Sequence, residues 1–92
     1  MRKKIVTGTT DSGFKFEVNR EQLEEYEFFR LLCALDKGKI TVLPDILEQL
    51  LGEEQEQRLL DHLREKNECP AKTSDVVAEI KDIFSKVKEA KN

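Results

Sequence analysis

The chain has 92 residues, of which 38% are charged and 38% are hydrophobic, and its formal net charge is −3. A chain of this length has room for one domain with a small core, which we predict to span residues 1–92. The excess of carboxylates argues against nucleic-acid binding, which needs clustered Lys and Arg. Because no apolar run resembles a transmembrane helix or a signal peptide, we expect a cytoplasmic protein with no membrane partner.

The N-terminal part predicts a β-hairpin over about residues 4–18. Phe14, Phe16 and Val18 alternate with charged residues, and a period of two is typical of a strand with one buried face. Gly13 follows an Asp-Ser pair and can adopt the positive φ that such a turn requires. Because a lone hairpin is only marginally stable in water, we expect its apolar face to pack on helices.

A first helix is predicted over about residues 20–36, with Asn19 as its N-cap. Its apolar residues cover most of the circumference, whereas a helix that packs on one core needs an arc of about 100°. Two interpretations remain open. Either the hairpin and the other helices surround this helix completely, or one side of it forms a surface for a partner or for self-association. The residues of that candidate protein-binding surface are Leu23, Tyr26, Phe28, Phe29 and Leu32.

Three further helices are predicted over about residues 43–51, 53–67 and 74–88. Pro44 is suited to the first turn of a helix, and Gly52 separates two helices that carry leucine ridges. The fold class is therefore α+β and mainly helical, with an N-terminal β-hairpin followed by about four short helices in one compact domain. The last helix has the clearest apolar stripe, which consists of Val76, Val77, Ile80, Ile83, Phe84 and Val87.

No group of residues has the pattern of a catalytic or cofactor-binding site. The only histidine, His62, falls on the polar side of its helix, so we expect an exposed imidazole without a partner for acid–base chemistry. Cys33 and Cys69 lack the paired spacing of metal ligands, and the four glycines are isolated rather than part of a phosphate-binding loop. We predict no catalytic, cofactor-binding or metal-binding residues and a protein that is not an enzyme.

The order of the segments supports a family resemblance. The alternating strand has the sequence GFKFEV, and the first helix contains the acidic and aromatic stretch LEEYEFF. A Pro-led leucine helix then ends in LLG, and the stretch EEQEQRLL precedes the final amphipathic helix. Over nearly the whole chain, this arrangement resembles the small tail assembly chaperones of long-tailed phages and prophages of Gram-positive bacteria.

The resemblance implies a non-catalytic chaperone in the cytoplasm of a bacterial host cell. Such a protein binds the tape measure protein during tail assembly through apolar helix surfaces, with tail tube subunits recruited around it. The resemblance also implies self-association, so a homo-oligomer is a further expectation. The competing interpretations are a small prophage-encoded adaptor or regulator that acts by protein–protein interaction and, with less support from the composition, a nucleic-acid-binding accessory protein.

Overall fold

The structure, a computed structural model, describes residues 5–89. Within this range an antiparallel two-stranded hairpin precedes five α-helices, which confirms the predicted α+β, mainly helical fold class. Lys4, the predicted first residue of the hairpin, lies outside the described residues. The outer parts of the predicted domain, residues 1–3 and 90–92, lie outside them too.

The predicted hairpin is confirmed. Strand β1 (Ile5–Thr9) pairs antiparallel with strand β2 (Lys15–Asn19). At the turn, the backbone N–H of Thr10 donates to the carbonyl oxygen of Phe14 at 2.8 Å. Gly13 has a φ of 101°, a left-handed conformation that glycine adopts without strain. The sequence therefore correctly predicted the positive φ of Gly13.

One face of the hairpin packs on the helices. Phe14, Phe16 and Val18 are buried, whereas the charged residues between them are exposed. Gly8 pairs with Phe16, and a Cβ atom on Gly8 would lie only 2.7 Å from Phe16 Cζ. The missing side chain therefore lets the phenyl ring lie across β1, so this glycine serves close packing and not a turn.

The prediction of one continuous helix over residues 20–36 is wrong, because the chain forms two helices there. Helix α1 (Arg20–Leu23) ends after one turn, and helix α2 (Tyr26–Asp36) begins after Glu25 adopts an extended backbone with φ −73° and ψ 138°. Like charges three or four positions apart repel one another along a helix. A continuous helix would place four glutamates at such spacings, namely Glu21, Glu24, Glu25 and Glu27.

The start of α1 and the end of α2 have clear capping geometry. The predicted N-cap is confirmed, because the side-chain Oδ1 of Asn19 accepts the backbone N–H of Glu21 at 2.9 Å. Gly38 follows α2 with a φ of 94°, as is common just beyond the end of a helix. The chain then continues into a short 3₁₀ helix (Ile40–Val42).

The other three predicted helices are confirmed to within one residue at each end. They are α3 (Leu43–Leu50), α4 (Gly52–Asn67) and α5 (Thr73–Glu89). Pro44 lies in the first turn of α3, where its missing N–H leaves no hydrogen bond unmade. Gly52 has a φ of 83°, so it forms the sharp corner between α3 and α4 without backbone strain.

The core lies between the inner face of the hairpin and the helices. The predicted stripe on α5 is confirmed, because four of its residues are buried and the other two pack partly buried against the core. Burying one such apolar side chain contributes about 1.5 to 3 kcal/mol to the stability of the fold. The most deeply buried large side chains come from β2 and from four helices, namely Val18, Phe28, Ile46, Leu59, Ile80 and Ile83.

Candidate protein-binding face

Helix α2 contains two neighbouring phenylalanines, Phe28 and Phe29, in opposite environments. Phe28 lies in the core. The Phe28 side chain is completely buried, and its ring centroid lies 5.9 Å from that of Phe84 on α5. Leu31 and Leu35 also pack against the core from α2. The prediction that Phe28 belongs to a partner surface is therefore wrong, because the core occupies the side of α2 toward which this residue points.

Tyr26 and Phe29 lie on the open side of α2. The tyrosine is 70% exposed and Phe29 is 55% exposed. Their ring centroids lie 6.4 Å apart with an angle of 35° between the planes, so the two rings form one small aromatic patch. Contiguous exposed apolar surface is a common mark of a protein–protein contact.

The two remaining predicted surface residues lie at the margin of the core. Leu23 and Leu32 are half-buried and pack against the core residues. The five predicted residues therefore do not form one surface, because only Tyr26 and Phe29 are well exposed. Complete enclosure of the first helical segment is also wrong, whereas partner binding on its open side stays a prediction.

An open groove of about 270 Å³ lies beside the two rings. Arg30, Cys33 and Lys37 line it, and they follow Tyr26 at intervals of four, seven and eleven residues. That spacing places them on one side of a helix, so the sequence contained a signal for them that the search for apolar residues alone missed. We call the surface that lines this groove the α2 face; it consists of Tyr26, Phe29, Arg30, Cys33 and Ala34 of α2 and of Lys37 and Lys39 just beyond its end.

The cations of the α2 face have no ion-pair partner within the described part of the chain. The ion pairs there join Lys86 of α5 to Asp11 of the hairpin turn and to Asp82 of α5. Arg30, Lys37 and Lys39 are exposed, so their charges point to solvent or to another molecule. The α2 face therefore combines exposed aromatic rings with a basic rim.

His62 lies at the turn of the hairpin. Its Nε2 atom is 3.1 Å from the carbonyl oxygen of Ser12 and 3.2 Å from the Ser12 hydroxyl oxygen. The imidazole also packs against Phe14, with ring centroids 5.9 Å apart. The expectation of an exposed imidazole is wrong, because the hairpin turn folds over α4 at this point and leaves His62 half-buried. In the structure, His62 holds the hairpin turn against α4.

A second set of polar contacts joins the same turn to α5. The backbone N–H of Asp11 donates to Oδ2 of Asp82 at 2.6 Å. The Lys86 ammonium lies 2.9 Å from a carboxylate oxygen of Asp11 and 3.6 Å from one of Asp82. These groups are therefore engaged in holding the hairpin against the helix.

The corner between α3 and α4 carries a group of carboxylates. Burial raises the pKa of Glu56 above its ordinary value, and the neighbouring carboxylates of Glu48 and Glu53 raise it further.

Over residues 5–89, no group of three or more His, Cys, Asp and Glu side chains has an arrangement that could hold a metal ion. Cys33 and Cys69 are free thiols.

Two general findings frame the question of function. None of the helices in the described range combines the length and the apolar character that crossing a bilayer requires. The chain matches no protein-family model, and comparisons with curated proteins and with solved structures give no match. Function is therefore inferred from the α2 face and from the sequence resemblance.

Proposed function

We propose that this protein is a non-catalytic tail assembly chaperone that binds the tape measure protein through the α2 face. The observation that carries the proposal is the pair of contiguous exposed rings of Tyr26 and Phe29. The other phenylalanines of the chain are buried or partly buried, whereas these two rings are accessible to a partner.

The chemistry of the α2 face fits an apolar protein segment. Aromatic residues contribute a large share of the binding energy at protein interfaces, because a rigid ring buries much area at little entropic cost. An amphipathic client helix that lies in the groove would cover both rings. Arg30 and Lys37 at the rim would then contact polar or acidic groups beside the apolar stripe of the client.

The client and the assembly step come from the sequence resemblance. In such a chaperone, the exposed rings would shield apolar segments of the long tape measure protein, which otherwise aggregates, until tail tube subunits assemble around it. A chaperone gene of this kind is expected immediately before a very long tape-measure gene. A gene found outside any tail cluster would favour the alternative, in which a small adaptor or regulator uses the same face for another protein.

The test is co-purification of the tagged full chain with the co-expressed tape measure protein. Phe29→Asp and Tyr26→Asp each place a charge in the aromatic patch, so we expect the retained tape measure protein to fall at least about tenfold, which corresponds to roughly 1.4 kcal/mol. Ile5→Asp is the matched control, because Ile5 is also a large exposed apolar residue, at 45%, but lies on the hairpin.

Circular dichroism of each variant provides the folding control. Both substituted residues are exposed, so we expect the helical spectrum of the unsubstituted protein in all three variants. A folded Tyr26→Asp/Phe29→Asp double variant that retains the tape measure protein at the original level would show that the α2 face is not the binding surface. Equal losses for Ile5→Asp and Phe29→Asp would show that binding is not specific to this face.

A further inference from the structure

The two outer edges of the hairpin differ in how their backbone groups are paired. At the edge of β2, the side-chain amide of Gln55 accepts the backbone N–H of Glu17 at 2.8 Å and donates to the carbonyl oxygen of the same residue at 2.7 Å. The Gln55 amide also donates to the carbonyl oxygen of Leu51 at 2.9 Å, which holds it at the beginning of α4. This side chain therefore takes the place of a neighbouring strand at the edge of β2.

The edge of β1 has no such cover. In an antiparallel pair, two opposite residues direct their backbone N–H and C=O groups either toward each other or both outward. Thr7 lies opposite Glu17, whose groups point outward to Gln55, so those of Thr7 also point outward. The alternation along the strand extends this to Ile5 and Thr9. Within the described range, these outward groups have no hydrogen-bond partner. We call them the β1 edge.

Strand β1 also lacks the features that protect an open edge. Natural proteins protect such edges with a charged residue, a proline or a β-bulge, because unpaired backbone groups otherwise recruit another strand. The sequence of β1 is IVTGT, with no charged residue and no proline, and its five residues pair with β2 in continuous register without a bulge. The side chains of Ile5, Thr7 and Thr9 are exposed. The β1 edge is therefore open to an extended segment of another molecule.

A buried carboxylate, that of Glu79, lies on the side of α5 that faces the hairpin. Helix α5 packs against β1, and its residues Asp82 and Lys86 contact Asp11 in the turn. With 3.6 residues per turn, Glu79 lies about 60° from Asp82 and about 20° from Lys86 around the helix axis. Glu79 is only 7% exposed, and its Oε1 atom has no hydrogen-bond partner within the described residues. An incoming cation would remove the cost of this unpaired buried oxygen.

We propose that the β1 edge binds an extended segment of a partner protein, and that this segment carries a Lys or Arg on the face toward α5. The segment would add a third strand to the sheet through main-chain hydrogen bonds. Because alternate side chains of a strand point to opposite faces, one face of the segment would lie beside Ile5, Thr7 and Thr9, where β-branched residues pack well. The other face would lie over α5, where the cation would pair with Glu79.

The β1 edge and the α2 face are separate surfaces. The β1 edge binds through main-chain groups of a strand, whereas the α2 face binds through side chains, and the two share no residue. The test at the β1 edge uses the purified full chain and a synthetic peptide, without the tape measure protein. Its failure would therefore leave the proposed client contact untouched, and loss of the client contact would leave peptide binding untouched.

The first test locates the bound peptide on the chain. The probe is a short peptide with blocked ends, in which valines and threonines flank one central lysine. In NMR spectra of the labelled full chain, we expect the amide signals of Thr7 and Thr9 to shift and their hydrogen exchange to slow at least about tenfold at saturation. The same peptide with methylated backbone nitrogens cannot donate to a strand and is the control. Peptide shifts that spare β1, or no shift at millimolar peptide, would overturn the proposal.

The second test removes one donor of the β1 edge. Thr7→Pro eliminates an outward N–H without removing a hydrogen bond between β1 and β2, so we expect the dissociation constant of the peptide to rise at least about tenfold. Thr7→Val is the matched control, because it keeps the N–H and the branched side chain. Unchanged peptide binding by a folded Thr7→Pro chain would overturn the proposal. So would sedimentation of the chain alone showing an association that Thr7→Pro abolishes, because the occupant would then be a second copy.

The third test is a double-mutant cycle that does not depend on the folding of Thr7→Pro. Glu79→Gln removes the buried charge at nearly constant shape, and norleucine in place of the peptide lysine removes the cation. Each change alone should raise the dissociation constant about tenfold, and the two together should raise it little further, because they remove the same contact. Glu65→Gln, at an exposed carboxylate on α4, should have no effect. Losses that multiply would show that Glu79 does not contact the lysine and would overturn the proposal of a basic segment.

Discussion

The hairpin turn and the α2 face contain similar side chains and use them in opposite ways. At the turn, Phe14 is buried, and the polar groups around it bind His62 on α4 and the acidic and basic residues of α5. On the α2 face, Tyr26 and Phe29 are exposed and the neighbouring cations lack ion pairs in the described chain. Aromatic and charged content alone therefore does not distinguish the two regions; they differ in whether internal partners cover these groups.

The largest expected effect compares the two adjacent phenylalanines of α2. Phe28→Ala removes a completely buried ring, so we expect it to lower the free energy of unfolding by about 3 to 5 kcal/mol. Phe29→Ala removes a ring that is 55% exposed and should change stability by no more than about 0.5 kcal/mol. Urea denaturation followed by circular dichroism measures both values.

The two substitutions are chemically identical and adjacent, so each serves as the control for the other. A loss of the whole fold in Phe28→Ala would agree with the expected difference, because small domains have only about 5 to 15 kcal/mol of stability. Similar losses for both variants would contradict it, since they would mean that Phe29 contributes to the core and that the α2 face is not an open surface.

A smaller effect is expected at the hairpin turn. His62→Ala removes the contacts of the imidazole with Ser12 and its packing on Phe14, so we expect a loss of about 1 kcal/mol. Arg30→Ala, on the α2 face, removes no ion pair of the described chain and should leave stability nearly unchanged. Thermal or urea denaturation of the two variants in parallel gives the comparison, and an equal loss in both would break the contrast between the two regions.

Most of the fold was predictable because its determinants are local. The period of two in β2, the apolar stripe of α5 and the positive φ of Gly13 depend on residues close together in sequence. The contact of His62 with Ser12 joins residues 50 positions apart, and no local pattern encodes it. The sequence correctly placed Tyr26 and Phe29 at the surface, but it could not predict which side of α2 would meet the core.

The break in the first predicted helix shows a second limit. Helical periodicity continues through the glutamates, so the apolar pattern gave no sign of the extended backbone at Glu25. The break is visible only in the structure, where the extended backbone at Glu25 separates the short α1 from the longer α2. Because the orientation of α2 decides that Phe28 is buried and Phe29 exposed, the candidate site depended on tertiary packing more than the fold class did.

The smallest expected effect lies at the corner of α3 and α4. It tests whether carboxylates without a cation partner must indicate a binding surface. At this corner the carboxylates act on one another. Burial raises the pKa of Glu56, and the carboxylates of Glu48 and Glu53 raise it further. The Glu56 carboxylate therefore binds a proton more tightly in the folded state than in the unfolded state. At neutral pH the ionised carboxylate opposes folding, so Glu56→Gln should raise the free energy of unfolding by a few tenths of a kcal/mol.

The pH dependence gives the sign of this effect. As the pH falls through the raised pKa of the folded state, Glu56 becomes protonated and the unsubstituted protein loses the electrostatic penalty. The advantage of Glu56→Gln should therefore be present near pH 7 and vanish below the ordinary value of 4.5. Urea midpoints at the two pH values measure it, with the exposed Glu65→Gln as control. An advantage that grows as the pH falls would mean that the ionised Glu56 stabilises the fold, and would contradict the interpretation that burial and the neighbouring carboxylates oppose its charge.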